Sequence, residues 1–294
     1  MKYSVAIDIG GTNTRVALAD EELNIIERKQ FATDSENPDV TLGKIAEVIK
    51  SFDCDIVGAG MSCPGPLDLI NGKILTPPNL KGQWHNLKVA EELSKLINKP
   101  VYLENDANLA GLAEAVVGEG KDYNYVQFFT VSTGLGAGFV INKEIYHGAH
   151  GFGNEVANCV MMKDGSIIPG GIEAISSGTA ITSRAVKAGL DVKHAGEVND
   201  LAKAGNEVAK QIMDDAKEYL ANFIGVVYGY ADPEIVILGG SVALKIDGFV
   251  EEVEALAKER VYEIMKPYVK VRKSTLNEDS GLIGAAYLAF SKAE

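Results

Sequence analysis

The sequence predicts an α/β protein with a duplicated fold, built as two domains around a cleft. An apolar strand segment leads into a glycine-rich turn twice, once at Val5–Ile9 and again at Tyr125–Val131, and each turn leads into another strand. After the first strands, strand and helix segments alternate, which indicates a mixed sheet with helices on both faces. With 294 residues, the chain is long enough for two domains of ordinary size.

The order of apolar patterns gives the elements of each half. In the first half, strands are predicted at Val5–Ile9, Thr14–Leu18, Ile25–Phe31, Ile56–Met61 and Val101–Leu103, and helices at Leu42–Phe52, Leu87–Ile97 and Ala107–Val117. In the second half, strands are predicted at Tyr125–Val131, Phe139–Ile141 and Ile235–Leu238, and helices at Asp200–Tyr228, Phe249–Val261 and Leu282–Ser291. We place a smaller N-terminal domain at 1–107, with the helix at 282–294 packed on it, and a larger C-terminal domain at 108–281.

Composition narrows the classes of function. The 28 basic and 41 acidic side chains give a net charge of −13, which repels a phosphate backbone, so we expect no nucleic-acid partner. Three widely spaced cysteines, Cys54, Cys63 and Cys159, form neither a disulfide framework nor a zinc knuckle, and they favour a reducing cytoplasm. We expect no signal peptide, and no run reaches the roughly 18 apolar residues that span a membrane.

Two glycine turns are candidate phosphate loops. In Asp8-Ile9-Gly10-Gly11-Thr12, the glycines let backbone N–H groups approach phosphate oxygens, and Asp8 can hold Mg²⁺ through water. In Ser132-Thr133-Gly134-Leu135-Gly136-Ala137-Gly138, three glycines follow a strand and Thr133 offers a hydroxyl. An ordinary hairpin turn explains either motif equally well when it is taken alone. The second motif is neither a Rossmann nor a Walker loop.

A third motif, Glu104-Asn105-Asp106-Ala107-Asn108, joins a strand to a helix. Its polar side chains could simply cap the helix, which is worth about 1 kcal/mol. Alternatively, Asp106 could accept the proton of a substrate hydroxyl. Taken alone, the residue pattern favours the helix cap.

Further polar groups lie in glycine-rich loops. Gly239-Gly240-Ser241 follows a strand and could hold an adenosine or form a plain bend. Glu155 and Asn158 lie in one loop and Glu173 in the next, where they could reach a sugar or remain solvated.

Taken in order, these motifs resemble the ROK family (repressors, open reading frames and sugar kinases) from Asp8 to the final helix. The resemblance implies the actin-like ATPase (ribonuclease H-like) fold, with ATP and Mg²⁺ as cofactors. It implies nucleotide or phosphate contacts at Asp8, Gly10, Gly11, Thr12, Thr133, Gly134, Gly178, Thr179, Gly239 and Gly240. It implies sugar contacts at Gly65, which follows Pro64, and at Asn79, Asn105, Asp106, Glu155, Asn158 and Glu173, and it makes Asp106 the catalytic base.

One departure from the family concerns metal binding. ROK kinases commonly carry a histidine three residues after the first sugar-binding glutamate and then a cysteine-rich zinc loop, whereas this chain has Asn158 and no cysteine in 162–171. Cys159 alone cannot supply the roughly four ligands of a structural zinc. We therefore expect no zinc site, and the identity of the sugar stays open.

The resulting hypothesis is an ATP-dependent kinase of a hexose or hexose derivative, acting at the 6-hydroxyl with Asp106 as the base. The alternatives are a non-catalytic sugar sensor of the same fold and a kinase for a non-sugar substrate such as acetate or glycerol. The expected partner is a small-molecule sugar, without nucleic acid or membrane, and a homodimer is left open.

Overall fold

The computed structural model describes residues 2–63, 65–163, 165–276 and 279–293. These residues form two compact units. Unit 1 holds the described residues of Met1–Ala113, His147–Phe152 and Glu278–Glu294, and unit 2 holds those of Glu114–Tyr146 and Gly153–Asn277. The predicted domain boundary near residue 107 remains a prediction.

The regular elements alternate along the chain much as the apolar pattern indicates. The strands are β1 (Tyr3–Ile9), β2 (Asn13–Asp20), β3 (Ile25–Ala32), β4 (Ile56–Cys63), β5 (Leu67–Asp68), β6 (Lys73–Ile74), β7 (Val101–Asn105), β8 (Tyr125–Val131), β9 (Leu135–Ile141), β10 (Glu144–Ile145), β11 (Met162–Lys163), β12 (Ser166–Ile167), β13 (Ile235–Gly239) and β14 (Val271–Lys273). The α-helices are α1 (Pro38–Ser51), α2 (Val89–Ile97), α3 (Asp106–Val116), α4 (Glu173–Ser176), α5 (Gly178–Lys187), α6 (Ala195–Lys203), α7 (Glu207–Ala231), α8 (Gly240–Lys245), α9 (Phe249–Lys258) and α10 (Ser280–Ala293). Gly82–Trp84 and Glu263–Tyr268 are 3-10 helices.

Unit 1 is built on a five-stranded sheet in the order β3-β2-β1-β4-β7. The first three strands are antiparallel, whereas β4 is parallel to both β1 and β7. Side chains alternate between the two faces of a strand. Ile7 and Met61 lie in one core cluster with Ile45 of α1 and Leu93 of α2.

The opposite face of this sheet receives α10. Ser4 of β1 donates a hydrogen bond to the carbonyl oxygen of Ala286, 3.2 Å away. A methyl group built on Gly60 of β4 would lie 1.9 Å from the carbonyl oxygen of Ala285. A methyl group on Gly284 would lie 2.0 Å from the carbonyl oxygen of Leu109 in α3. Glycine is therefore required on both sides of α10, where backbone meets backbone.

Unit 2 repeats this topology with the strand order β10-β9-β8-β13-β14. Here β8 and β9 form the antiparallel hairpin, and β13 is parallel to both β8 and β14. The core of the unit contains Phe129 of β8 and Phe223 of α7, whose rings meet edge to face at 5.9 Å. The repeated strand order agrees with the predicted duplication.

The helices α4, α5 and α8 and the strand β14 were not predicted from the sequence, and two predicted elements differ from the structure. The predicted turn at 132–138 is shorter, because β9 already begins at Leu135, and Gly136 and Gly138 pair with Thr130 and Phe128 of β8. The small residues continue the hairpin instead of forming the turn.

The long helix predicted at Asp200–Tyr228 is wrong, because α6 ends at Lys203 and α7 begins at Glu207. Gly205 has a positive φ of 90°, and the Asn206 side chain accepts a hydrogen bond from the N–H of Ala209. This Gly–Asn pair ends one helix and caps the next.

No helix in the described part of the chain combines the length and the apolar character needed to cross a bilayer.

Replacing Gly284 with alanine is expected to lower the free energy of unfolding by about 1–3 kcal/mol or more, because the new methyl group overlaps backbone atoms of α3 that cannot rotate away. Gly43 of α1 is the matched control, since a methyl group there meets no heavy atom within 4 Å. Gly43→Ala should be neutral or stabilising by roughly 0.5–1 kcal/mol. Urea unfolding of both variants measures the difference, and equal stabilities would contradict the close approach of α10 to α3.

Candidate active site

The parallel strands of unit 1 bring three strand ends to one edge of the sheet. Asp8 of β1 is level with Ser62 of β4, and Cys63 is level with Asn105 of β7. Burial raises the pKa of the Cys63 thiol, and the charges of Asp8 and Asp106 raise it further. Asp8 and Asp106, which are far apart in sequence, therefore both lie near Cys63.

Asp8 is also held by a basic residue that sequence analysis did not identify. Arg15 is its direct partner across the β1–β2 hairpin and donates from Nε and Nη2 to Oδ2 of Asp8, at 3.0 and 2.6 Å. In the intervening turn, the N–H of Gly10 donates to the carbonyl oxygen of Asn13 at 2.9 Å. The register of the hairpin, counted outward from this turn, would have revealed the pair.

The first glycine loop packs closely against Asn79. A methyl group built on Gly11 would lie 2.6 Å from Cβ of Asn79 and 2.9 Å from its carbonyl oxygen. Asn79 and Thr12 are exposed, and the N–H of Thr33 donates to the carbonyl oxygen of Thr12. The structure therefore brings the predicted sugar contact Asn79 to the predicted phosphate loop.

At the junction of β7 and α3, the residue that caps the helix is Asn105 and not Asp106. Oδ1 of Asn105 accepts hydrogen bonds from the N–H groups of Ala107 and Asn108, at 2.8 and 3.3 Å, so Asn105 caps the helix. Asp106 accepts one hydrogen bond, from Ala107 at 2.8 Å. Its side chain keeps access to solvent. A methyl group on Gly65 would lie 3.9 Å from Nδ2 of Asn105, whereas Pro64 lies outside the described residues.

The environment of Asp106 favours the protonated acid more than water does. Although Asp106 is exposed, the protein packed around its carboxylate partly desolvates the charge and raises the pKa above the ordinary value; the N–H of Ala107 opposes the shift, and the charge of Asp8 adds to it. A carboxylate with a raised pKa is a stronger proton acceptor, as general-base catalysis requires.

A second carboxylate lies just before the base. Glu104 is 2% exposed, and its Oε1 accepts hydrogen bonds from the N–H of Asn105 at 2.8 Å and from Nδ2 of Asn108 at 2.9 Å. Oε2 of Glu104 lies 2.6 Å from Nε2 of His147. Sequence analysis missed His147, because it lies 43 positions from its partner and belongs to no motif.

In unit 2, the predicted nucleotide residues meet at the ends of three elements. The N–H groups of Gly178 and Thr179, at the start of α5, donate to the carbonyl oxygens of Ser132 and Thr133 at 2.7 and 3.3 Å. A methyl group on Gly240, whose φ is +83°, would lie 2.6 Å from the carbonyl oxygen of Val131. Gly239, the last residue of β13, is level with Thr130 of β8.

Beside these loops lies a cavity of about 890 Å³. Its walls include Thr133, Gly178 and Thr179, as well as Lys193 and Lys245. The two lysines were not identified from the sequence. The cavity therefore has two lysines and one aspartate, Asp200, in its walls, and the positive end of the α5 dipole lies beside it. Lysine charge and a helix start together suit phosphate groups.

The predicted sugar contacts of unit 2 fall into two settings. Glu155 and Asn158 are exposed in the loop that precedes β11. Glu173 instead begins α4 and accepts a hydrogen bond at Oε2 from the N–H of Leu135, at 2.8 Å. A methyl group on Gly134 would lie 2.7 Å from the same oxygen. Glu173 therefore lies against the second glycine loop.

A metal site would need several His, Cys, Asp or Glu side chains close together. Within 2–63, 65–163, 165–276 and 279–293, no group of three or more His, Cys, Asp or Glu side chains could hold a metal ion. In the segment where the family resemblance would place a zinc loop, the structure has the hairpin β11–β12, and Lys163 of that hairpin donates to Oδ2 of Asp215 at 2.8 Å. The absence of zinc stays a prediction.

Known proteins that are similar to this chain include sugar kinases. The ROK family model matches residues 4–292. A glucokinase of Thermotoga maritima is 31% identical over 310 residues, covering 96% of this chain and 95% of the relative. An N-acetylmannosamine kinase of Salmonella heidelberg is 29% identical over 299 residues, covering 97% and 98%. The crystal structure of a ROK hexokinase from Thermus thermophilus is similar with a TM-score of 0.88 at 27% identity, covering 99% of each chain.

These similarities define an α/β protein of the actin-like ATPase fold and confirm the fold class predicted from the duplicated strand pattern. The chain belongs to the ROK family.

The His147–Glu104 pair should make stability depend on pH. The hydrogen bond to Glu104 raises the pKa of His147, whereas desolvation and the charge of Lys292 lower it. A raised folded pKa adds stability that is complete below the unfolded value of about 6.5 and is lost as the pH rises through the folded value. His147→Gln should therefore lower the free energy of unfolding more at pH 6 than at pH 9.

The matched control is His150→Gln, because His150 is exposed in the same segment. Urea unfolding at the two pH values measures each variant against the unchanged protein. A cost of His147→Gln that is equal at both pH values would contradict an ion pair between His147 and Glu104.

Proposed function

We propose that this chain transfers the γ-phosphoryl group of ATP to the 6-hydroxyl of a hexose or hexose derivative, with Asp106 as the general base. That the chain is an ATP-dependent sugar kinase follows from its family and from its similarity to a glucokinase and an N-acetylmannosamine kinase. The position of the hydroxyl, the role of each residue and the sugar are the parts that need testing.

The observation that carries the proposal is the setting of Asp106. Its carboxylate lies at the carboxyl edge of a parallel sheet, keeps solvent access and has a raised pKa, while Asn105 takes over the capping of α3. A structural cap needs none of these properties. Asp106 is therefore the best candidate to accept a hydroxyl proton.

The cavity of unit 2 is the proposed site of the nucleotide. Thr133, Thr179, Lys193 and Lys245 line this cavity, and the start of α5 adds the positive end of a helix dipole. Mg²⁺ would arrive with ATP as part of the substrate, held mainly by phosphate oxygens. Asp8 is the proposed metal contact, through water, and Arg15 holds its carboxylate in place at Oδ2.

The proposed reaction is a direct displacement at phosphorus. The sugar oxygen bonds to the γ-phosphorus as the bond between that phosphorus and the bridging oxygen of ADP breaks, and the hydroxyl proton moves to Asp106. Such a transfer depends mainly on positioning and on stabilisation of charge. Gly65, Asn79, Asn105, Glu155, Asn158 and Glu173 are the proposed contacts of the sugar.

The test is an ADP-release assay of the purified protein with a panel of glucose, fructose, mannose, N-acetylated hexosamines and β-glucosides. Asp106→Asn should lower kcat by about 10²–10⁴, because the amide keeps the shape of the side chain but cannot take the proton. The acid limb of kcat/KM should lie above the ordinary aspartate range, since protonation of Asp106 removes the base and its pKa is raised.

Asp39→Asn is the matched control, because Asp39 also lies in the first turn of a helix in unit 1 and is exposed. It should leave kcat unchanged. If Asp106→Asn keeps kcat within a few-fold of the unchanged protein, Asp106 is not the base. If no sugar in the panel releases ADP, a sugar sensor becomes the better model.

Replacing Glu155 with alanine tests the sugar loop. Loss of a hydrogen bond to a charged group should weaken sugar binding by about 10–100-fold and leave ATP binding nearly unchanged. Isothermal titration calorimetry with each ligand separates the two effects, and Glu144→Ala, an exposed glutamate of the same unit, is the control. A larger loss for ATP than for sugar would remove Glu155 from the sugar site.

A further inference from the structure

The segment that carries Asp106 is organised around a buried charge. Glu104 is 2% exposed, and one of its oxygens, Oε1, accepts hydrogen bonds from the backbone of Asn105 and from the side chain of Asn108. A buried carboxylate is unfavourable unless it is paired and hydrogen-bonded. The partner of the second oxygen therefore controls how firmly Glu104 holds the residues on either side of Asp106.

That partner is His147. Its Nε2 lies 2.6 Å from Oε2 of Glu104, and the two side chains are 42% and 3% exposed. His147 belongs to the segment His147–Phe152 of unit 1, so it reaches the strand from a loop distant in sequence. Lys292 of α10 is the other charged group that acts on the imidazole. His147 itself is not among the residues proposed to take part in the reaction.

The side chain of Asn108 shows why Glu104 matters for geometry. Asn108 is 5% exposed, and among the described residues its Oδ1 is a buried acceptor with no hydrogen-bond partner. The 2.9 Å hydrogen bond from Nδ2 to Glu104 is thus the contact that sets the orientation of the amide. Movement of the Glu104 carboxylate would release Asn108 and the backbone N–H of Asn105 together.

We propose that His147 is a positioning residue for phosphoryl transfer, which acts by fixing Glu104 and, through Glu104, the segment that carries the base Asp106. The inference rests on the proposed function, because it takes Asp106 as the base. His147 donates a hydrogen bond through Nε2, and the Glu104 carboxylate then holds Asn105 and Asn108 with its other oxygen. The loop that contains His147 therefore helps to fix the position of Asp106, although none of the sequence motifs lies in that loop.

The expected kinetic effect follows from this arrangement. A displacement of about 1 Å at a reacting group can lower a rate by 10²-fold, whereas contacts that bind the substrates are left in place. Loss of His147 should therefore lower kcat and leave both KM values close to those of the unchanged protein.

The experiment compares His147→Ala and His147→Gln in the ADP-release assay, with ATP and the panel sugar of highest kcat/KM. His147→Ala should lower kcat about tenfold or more, with both KM values changed by about twofold at most. His147→Gln keeps an N–H donor near the position of Nε2 and should recover most of the lost kcat. The control His150→Ala, in the same segment, should leave all constants unchanged.

Two results would overturn the inference: an unchanged kcat in His147→Ala, or a loss confined to the KM of the sugar, which would make His147 a binding contact. Glu104→Gln keeps a side chain of the same size, and adding His147→Ala to it should cause little further loss of kcat, because both changes act on one contact. If the fold-losses of kcat from the two changes multiply instead, His147 does not act through Glu104. Thermal unfolding of each variant shows that it is folded at the assay temperature.

Asp106→Asn, measured in parallel, separates this inference from the proposed function. If Asp106→Asn keeps its kcat, Asp106 is not the base, whatever the kcat of the His147 variants. An inactive Asp106→Asn together with a fully active His147→Ala leaves the base in place and removes only the role of His147.

Discussion

The parallel pairing of β4 with both β1 and β7 is the constraint on which the candidate site depends. Because the carboxyl ends of parallel strands meet at one edge, Asp8 and Asp106, which are distant in sequence, come to the same region of unit 1. A slip of one residue in either pair would turn the side chains of a strand to the opposite face. Cys63, at the end of β4, is fully buried near both carboxylates, so its side chain fills space in the core.

Local patterns were enough to predict the fold class and most of the sheet strands, and to nominate residues for the candidate site. Strands followed by turns are patterns within about ten residues, and such patterns mark the positions of Asp8, Thr133 and the start of α3. The break between α6 and α7 was also signalled locally, by Gly205 and Asn206, but the apolar spacing continued across it. Contacts between distant residues, such as His147 with Glu104, depend on tertiary packing and leave no local pattern.

Ion pairs to a buried carboxylate hold the β11–β12 hairpin of unit 2 in place. Asp215 of α7 is buried and pairs with Lys163 of the β11–β12 hairpin and with Arg184 of α5. Gln211 donates to the other oxygen of Asp215 at 2.9 Å. One acidic side chain thus joins three elements through charge-assisted hydrogen bonds, which are stronger than neutral ones.

The packing of α10 on β1, β4 and α3 affects the order in which the protein can fold during synthesis. The sheet of unit 1 is translated early, but the helix that covers one of its faces emerges from the ribosome only after all of unit 2. Until then, the glycine-lined face of β4 has no cover, and its contacts with α10 span more than 200 positions. Unit 2 can complete its core while the chain is still being made, whereas unit 1 has to wait for its last helix.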